Sequence, residues 1–357
     1  MKHGKILAAS LLFGGLILLG IGAAYIISGG KTEGSSSSKN SCIGTWDASY
    51  VECIENKLGE IAKKNPAKAI KEYEAMAKAD PQLKGSMCHR LFHIMGQEAT
   101  KSSSDPWEVF LAGNSECNWG YVHGAVEGYL VGGVDQVILG AAGLCTPREG
   151  LDPQDPYVSG VKGNCEHGTG HALLHANENP EEAESGCRKA FEDKTAVLAC
   201  IDGMIMEYGN SETAKNGRYG DICLKIGDDA KATCYSSIPL TWFNQTGGDH
   251  LKVMQRCDES KNEELTYKCS WGAGNLFMVQ TSFDFEFMKN LCMQVEGTLR
   301  KGCYFGASVA VSLGVHTGAL DQAELEAFVK SSPDTTWVDP IFEEIDKAVA
   351  AFGQGAS

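Results

Sequence analysis

The amino-acid sequence predicts an all-α protein, a right-handed solenoid of stacked helical hairpins that is held by disulfides and preceded by one transmembrane helix. Ala, Glu, Lys and Leu are plentiful, while Pro is scarce at 10 residues in 357. No run of alternating apolar and polar residues is long enough to propose a sheet. Cysteines recur every 34 or 35 residues over the second half of the chain, and this period predicts the repeat.

The first 30 residues predict a signal anchor. Residues 6–28 are 23 consecutive residues without a charge, longer than the core of a cleaved signal peptide and close to the ~20 residues that span a bilayer. Lys2 and Lys5 precede this run, so the positive-inside rule places the bulk of the chain outside the cytoplasm, in a periplasmic, extracellular or lumenal space. Cleavage at the small residues near Ala24 is the alternative. Residues 31–41 are predicted to be a flexible Ser-rich linker.

Net charge and cysteine spacing exclude several classes of protein. The formal net charge of −15 disfavours binding to nucleic acid or to anionic lipid headgroups. The 14 cysteines contain no Cys-x-x-Cys, the spacing that thiolate zinc sites and thioredoxin-type redox centres normally need. In an exported chain they are expected to form seven disulfides. Sequence alone leaves the pairing open, but separations of 11 to 13 residues suggest the pairs Cys42/Cys53, Cys187/Cys200, Cys223/Cys234, Cys257/Cys269 and Cys292/Cys303.

Cys165 and the second cysteines of the last four pairs mark the repeat. Spacings of 35, 34, 35 and 34 residues separate Cys165, Cys200, Cys234, Cys269 and Cys303. A glycine follows three residues after Cys117, Cys165, Cys200, Cys269 and Cys303, for example in "CEHGTGHA" at 165 and "CIDGMIME" at 200, and among the cysteines that mark the repeat only Cys234 breaks this pattern. Glycine in a helix costs about 1 kcal/mol relative to alanine. We expect that it is used here because it lets a neighbouring helix approach closely.

One segment is similar to a known repeat family. "AIKEYEAMAKADP", residues 69–81, resembles the second helix of a tetratricopeptide repeat, with Ala69, Tyr73 and Pro81 at that family's offsets. Met76 stands where a small residue is usual. The resemblance covers this helix and the repeat length. It implies an architecture, a right-handed stack of hairpins with a concave face, and no function.

Residues 42–314 are predicted to be the repeat domain and residues 315–357 a C-terminal helical cap. Helix starts are indicated by pairs such as Asp105-Pro106, an N-cap followed by proline at the first helical position. Residues 145–162 are expected to be the one long insertion. The predicted helices cover residues 52–64, 66–79, 83–99, 106–112, 115–131, 134–144, 164–177, 180–191, 194–209, 218–226, 229–243, 249–258, 262–280, 284–294, 297–314, 321–331 and 339–352.

Six of the nine histidines lie between residues 89 and 175. Residues four apart share one face of a helix, so three successive helices each offer a pair of metal ligands. The predicted ligands are His89 with His93, His123 with Glu127, and His171 with His175, and His167 extends the last pair.

The register of these residues supports a shared site. His123 and His171 both follow their cysteine by six residues, and Glu127 and His175 both follow by ten. Equivalent positions of stacked helices lie roughly 8–10 Å apart, so their side chains can meet at one ion. His89 and His93 follow Cys88 by one and five residues, which places them on another side unless that helix is rotated. Polar packing or a pH-sensitive seam is the alternative.

Two functions from different classes follow. The first is a metalloprotein that acts as a hydrolase or an oxidase and uses zinc, with copper or iron as alternatives. Glu127 is the candidate general base, and Glu98 and Glu166 are further candidates. The second is a non-catalytic scaffold that binds a protein or peptide partner on its concave face. The sequence leaves open whether the protein is an enzyme.

Overall fold

The computed structural model describes residues 42, 48–83, 86–117, 119–210, 222–316 and 320–353. All regular secondary structure in these ranges is helical, as predicted, and residues 48 onward belong to one compact unit. The predicted membrane anchor and the Ser-rich linker lie outside the described residues. None of the described helices combines the length and apolar character that crossing a bilayer requires.

Seventeen α-helices follow one another along this part of the chain. They are α1 (Ala48–Ala62), α2 (Pro66–Ala79), α3 (Ser86–Ala99), α4 (Pro106–Leu111), α5 (Gly120–Tyr129), α6 (Val134–Cys145), α7 (Pro156–Asn177), α8 (Pro180–Ala190), α9 (Lys194–Asn210), α10 (Lys231–Ser237), α11 (Pro239–Gln245), α12 (His250–Arg256), α13 (Glu263–Gln280), α14 (Phe285–Met293), α15 (Gly297–His316), α16 (Gln322–Lys330) and α17 (Val338–Gly353).

Asp-Pro and Asn-Pro pairs begin several of these helices. At α4 the Asp105 carboxylate accepts hydrogen bonds from the backbone N–H groups of Trp107 and Glu108, which satisfies donors that have no partner inside the helix. Asp155 caps α7 in the same way. Helix α7 therefore starts eight residues before the predicted position 164, and the predicted insertion ends in about two helical turns.

Two predicted helices are not single α-helices in the structure. The predicted helix 229–243 is split into α10 and α11 at Pro239, because proline has no N–H to donate to the preceding turn. Of the predicted helix 218–226, the described residues form only a 3₁₀ turn, Ile222–Leu224.

The long helices pack on one another in chain order. Helix α3 packs on α5, α5 on α7, α7 on α9, and α13 on α15, while α16 and α17 pack on α15. A methyl group at Gly203 would overlap the carbonyl oxygen of His167, and one at Gly306 would overlap that of Trp271. The prediction that glycines placed three residues after the cysteines permit close helix approach is therefore confirmed at these positions.

The cysteines are fully oxidised. Four predicted pairs are confirmed: Cys187–Cys200, Cys223–Cys234, Cys257–Cys269 and Cys292–Cys303. Cys88–Cys117 and Cys145–Cys165 are two further disulfides, Cys42 and Cys53 are also disulfide-bonded, and no described cysteine is free. This usage indicates an oxidising, extracytoplasmic environment.

Candidate metal centre

Five histidine rings from three helices meet at one place, and we refer to them as the imidazole cluster: His89 and His93 of α3, His123 of α5, and His167 and His171 of α7. His123 is central. Its ring centroid lies 5.4 Å from that of His89, 5.5 Å from His93, 4.6 Å from His167 and 5.3 Å from His171. His123 and His171 are each only 1 % exposed. The close approach depends in part on Gly124, where a methyl group would overlap the His93 carbonyl oxygen.

The pairing of Cys88 explains how His89 and His93 reach the cluster. Cys88 bonds to Cys117, 29 residues away, and so joins α3 to the segment before α5. The confirmed pairs later in the chain instead join neighbours 11 to 13 residues apart. Cys88 is therefore not equivalent to the cysteines that mark the repeat. The register counted from Cys88 therefore places His89 and His93 on the wrong side of α3; in the structure both face His123.

The two rings of α3 are each held at their Nδ1 atom. His89 Nδ1 donates to the carbonyl oxygen of Cys117 at 2.7 Å, and His93 Nδ1 lies 3.3 Å from Glu127 Oε1. Their Nε2 atoms are 3.0 Å apart. Two nitrogens bound to one tetrahedral zinc are separated by about 3.3 Å. The pair is thus spaced as two ligands of a single ion would be.

Asn164 determines which nitrogen of His123 carries the proton. The Asn164 amide nitrogen donates to the carbonyl oxygen of Gly160 at 2.8 Å, which turns its Oδ1 toward His123. His123 Nε2 donates to that oxygen at 3.0 Å. The remaining nitrogen, Nδ1, is therefore unprotonated, and it is buried without a hydrogen-bond partner among the described residues.

Helix α9 holds the two rings of α7. His167 Nδ1 lies 3.2 Å from Asp202 Oδ2, and His171 Nδ1 lies 3.1 Å from Glu207 Oε2. The Ser237 hydroxyl donates to the other oxygen of Asp202. In both histidines Nε2 is buried, and no described group hydrogen-bonds to it.

In all five rings one nitrogen contacts an outer acceptor. The inner nitrogens of His123, His167 and His171 have no hydrogen-bond partner among the described residues, and those of His89 and His93 face each other. Metal-bound histidines in proteins are supported in the same way by carboxylates and carbonyls. Buried nitrogen atoms without a partner are costly, and a cation would satisfy them. Two groups of three histidines, His89/His93/His123 and His123/His167/His171, each have one ring nitrogen per residue within 4.8 Å of the other two.

Burial keeps three rings of the cluster, those of His89, His123 and His171, neutral. Burial, reinforced by the neighbouring His93, lowers the pKa of His89 to about 4. Burial and the surrounding imidazoles lower the pKa of His123 and of His171 well below the ordinary value. These rings are therefore unprotonated near neutral pH, which is the form that binds a metal.

The supporting carboxylates are charged. Burial acts to raise the pKa of Glu127, but the contacts with His93 outweigh it, and the pKa lies below its ordinary value. Burial also opposes ionisation of Asp202, whose pKa is nevertheless lowered by His167. Ionised carboxylates behind the rings create a negative potential that favours a cation.

Of the seven predicted ligands, five form the imidazole cluster and two lie at its edge. Glu127 Oε1 lies on the outer side of the rings, 3.6 Å from His171 Nδ1 as well as near His93, and its other oxygen accepts a 2.7 Å hydrogen bond from Gln97. His175 lies outside the cluster, with its side chain 56 % exposed and its Nε2 3.4 Å from Glu207 Oε1.

The sequence interpretation did not identify the supporting residues Gln97, Asn164, Asp202 and Glu207. A signal existed for two of them, since Asp202 and Glu207 are the only charged residues between positions 195 and 210. Isolated carboxylates in an otherwise uncharged helix suggest a buried partner. For Asn164 and Gln97 the sequence carries no comparable signal.

No protein-family model, no curated protein and no solved structure significantly matches this chain, so its function is argued from the imidazole cluster itself.

Proposed function

We propose that this chain is a membrane-anchored, exported metalloprotein whose helical hairpins form a right-handed solenoid and hold a transition-metal ion in the imidazole cluster. One observation carries the proposal. The buried inner nitrogens of His123, His167 and His171 have no hydrogen-bond partner in the described part of the chain, while the opposite nitrogen of each ring is held by a polar group. The anchor is supported by the uncharged run at residues 6–28.

The donor atoms indicate the kind of metal. The inner ligands are imidazole nitrogens, which suit zinc, copper, iron and nickel, and the oxidised cysteines offer no thiolate. Three imidazoles with one open position are the ligand set of several catalytic zinc sites. Zinc is therefore our first choice, with copper or iron as alternatives.

The site suits hydrolysis if it holds zinc and oxidation if it holds copper or iron, since a bound metal supplies either an activated water or a redox centre. His89 and His93 are only half-buried, whereas His123 and His171 are fully buried, so a substrate would approach from the side of α3. Glu127 stays our candidate base. The contacts that it makes with the outer nitrogens of His93 and His171 support an additional role in orienting those rings.

Elemental analysis of the untagged full-length protein, purified from its native compartment, tests the proposal. We expect about one equivalent of zinc, copper or iron, and loss of that metal in the His123→Ala/His171→Ala double variant. His250→Ala is the control, because His250 packs among Phe243, Phe277 and Phe287. Folded wild-type protein that contains less than a tenth of an equivalent and takes up none of these metals would refute the proposal.

A cleft supports a second candidate, a non-catalytic scaffold that binds a protein or peptide partner. About 510 Å³ of space lies between α9, α10, α11 and α13, lined by Leu198, Leu240, Leu276, Trp271 and Asp202 among others. That volume and its mainly apolar lining with a few polar groups are typical of ligand sites. Metal-free protein, together with a native peptide that binds wild type but not Leu240→Glu, would favour this candidate.

A further inference from the structure

Three ionisable side chains from three helices converge at the solvent side of the imidazole cluster. They are Glu127 of α5, His175 of α7 and Glu207 of α9, and we refer to them as the outer triad. One ligand atom from each lies within 4.8 Å of the other two. None of the five rings of the imidazole cluster belongs to this group.

Among the described residues, no Lys or Arg forms a salt bridge with either carboxylate of the outer triad; their ionic contacts are with imidazoles. The Glu127 side chain is only 7 % exposed, and its Oε1 lies 3.3 Å from His93 Nδ1 and 3.6 Å from His171 Nδ1. Glu207 Oε1 faces His175. Two carboxylates at this spacing repel each other, and a bound cation would offset that repulsion.

Exposure and donor type distinguish the outer triad from the imidazole cluster. His175 is largely open to solvent, so a cation can arrive there and keep water molecules among its ligands. The donors are two carboxylates and one imidazole. Oxygen-rich sets of this kind suit harder cations such as Mn²⁺, whereas all-imidazole sets favour zinc or copper.

We propose that the outer triad is a second metal site, for a hard divalent cation such as Mn²⁺, beside the ion held by the imidazole cluster. This inference rests on the proposed function only in that the inner site is filled first. Glu127 also contacts His93 and His171, so a single carboxylate connects the two sites. Its other oxygen is already occupied by Gln97, which orients it.

A manganese titration tests the second site. The untagged full-length protein is loaded with one equivalent of Zn²⁺, and Mn²⁺ is then added while the free ion is measured by electron paramagnetic resonance. We expect one further equivalent of Mn²⁺ to bind. His175→Ala should weaken Mn²⁺ binding at least about tenfold while Zn²⁺ is retained. The exposed carboxylate Glu192, between α8 and α9, provides the control variant Glu192→Gln, which should leave both ions bound.

The outcomes separate the two sites. Absence of Mn²⁺ binding, or Mn²⁺ binding that His175→Ala leaves unchanged, overturns the outer site even if zinc is retained. If neither zinc, copper nor iron is retained, the proposed function fails, and Mn²⁺ is titrated into His123→Ala/His171→Ala protein, which keeps the outer triad. Binding that a further His175→Ala change abolishes then supports the second site by itself, and no binding overturns it.

Discussion

His123 Nε2 donates a hydrogen bond to Asn164 Oδ1 at 3.0 Å, and this contact fixes the proton of the central ring of the cluster. The Asn164 amide cannot rotate freely, because its nitrogen donates to the Gly160 carbonyl. The tautomer of His123 is therefore set before any metal binds, with Nδ1 free for the ion. Such preorganisation reduces the cost of assembling the site.

Replacing Asn164 by leucine should weaken both the site and the fold. The buried His123 Nε2–H would lose its acceptor, at a cost of about 1–3 kcal/mol, and metal affinity should fall about 10–100-fold. Urea unfolding of the metal-free protein and competition with a zinc-binding dye measure the two effects. Asn164→Asp keeps an acceptor oxygen and should lose less affinity. A leucine variant with wild-type affinity would show that His123 is not a ligand.

Gly203→Ala should destabilise the protein by about 1–3 kcal/mol, because the added methyl group overlaps the backbone of α7 at His167. Gly163→Ala is the matched control, since nothing lies within 4 Å of a methyl group there. That change should stabilise α7 by about 0.5–1 kcal/mol. Chemical unfolding of both variants measures the difference, and equal effects would contradict the close approach of α7 and α9.

Removing either of two disulfides should reduce stability equally, but only one of the two removals should weaken metal binding. Cys145–Cys165 and Cys292–Cys303 close segments of 20 and 11 residues, and each double alanine variant should lose about 3 kcal/mol in the chain-entropy model. Only Cys145→Ala/Cys165→Ala should also weaken metal binding, because Cys165 lies two residues before His167. Calorimetry with and without zinc checks this, and equal loss of affinity in both variants would contradict it.

Metal-free protein should lose stability in acid. The pKa of His89 is about 4 in the fold against 6.5 ordinarily, so the unfolded chain takes up a proton first. Its contribution is complete above about pH 6.5 and is lost as the pH falls toward 4, at roughly 3 kcal/mol. His123 and His171 act in the same direction.

Two carboxylates oppose this effect. Burial raises the pKa of Glu207 and of Glu166, which favours the folded state as the pH falls toward the ordinary value of 4.5, but these two groups act against three histidines. Urea unfolding at pH 7.5, 6, 5 and 4 measures the balance. Stability that is unchanged from pH 7.5 to 5 would show that the histidines are not buried in their neutral form.

Local features of the chain were predictable. The start of α4 at Asp105-Pro106 could be predicted because it depends only on residues within one helical turn. The confirmed disulfides that join cysteines 11 to 13 residues apart could be paired because each closes a single hairpin. The spacing of His171 and His175 on one helical face also follows from helix geometry alone.

The sequence by itself determined the helical class, most helix positions and the set of histidines from which the cluster is built. Only the tertiary structure decided that Cys88 bonds to Cys117 and that α3 therefore turns His89 and His93 toward His123. It also decided that Asp202 supports His167. Each of these depends on contacts between residues about 30 or more positions apart. Such contacts are set by how helices pack side by side, which the period of one helix does not encode.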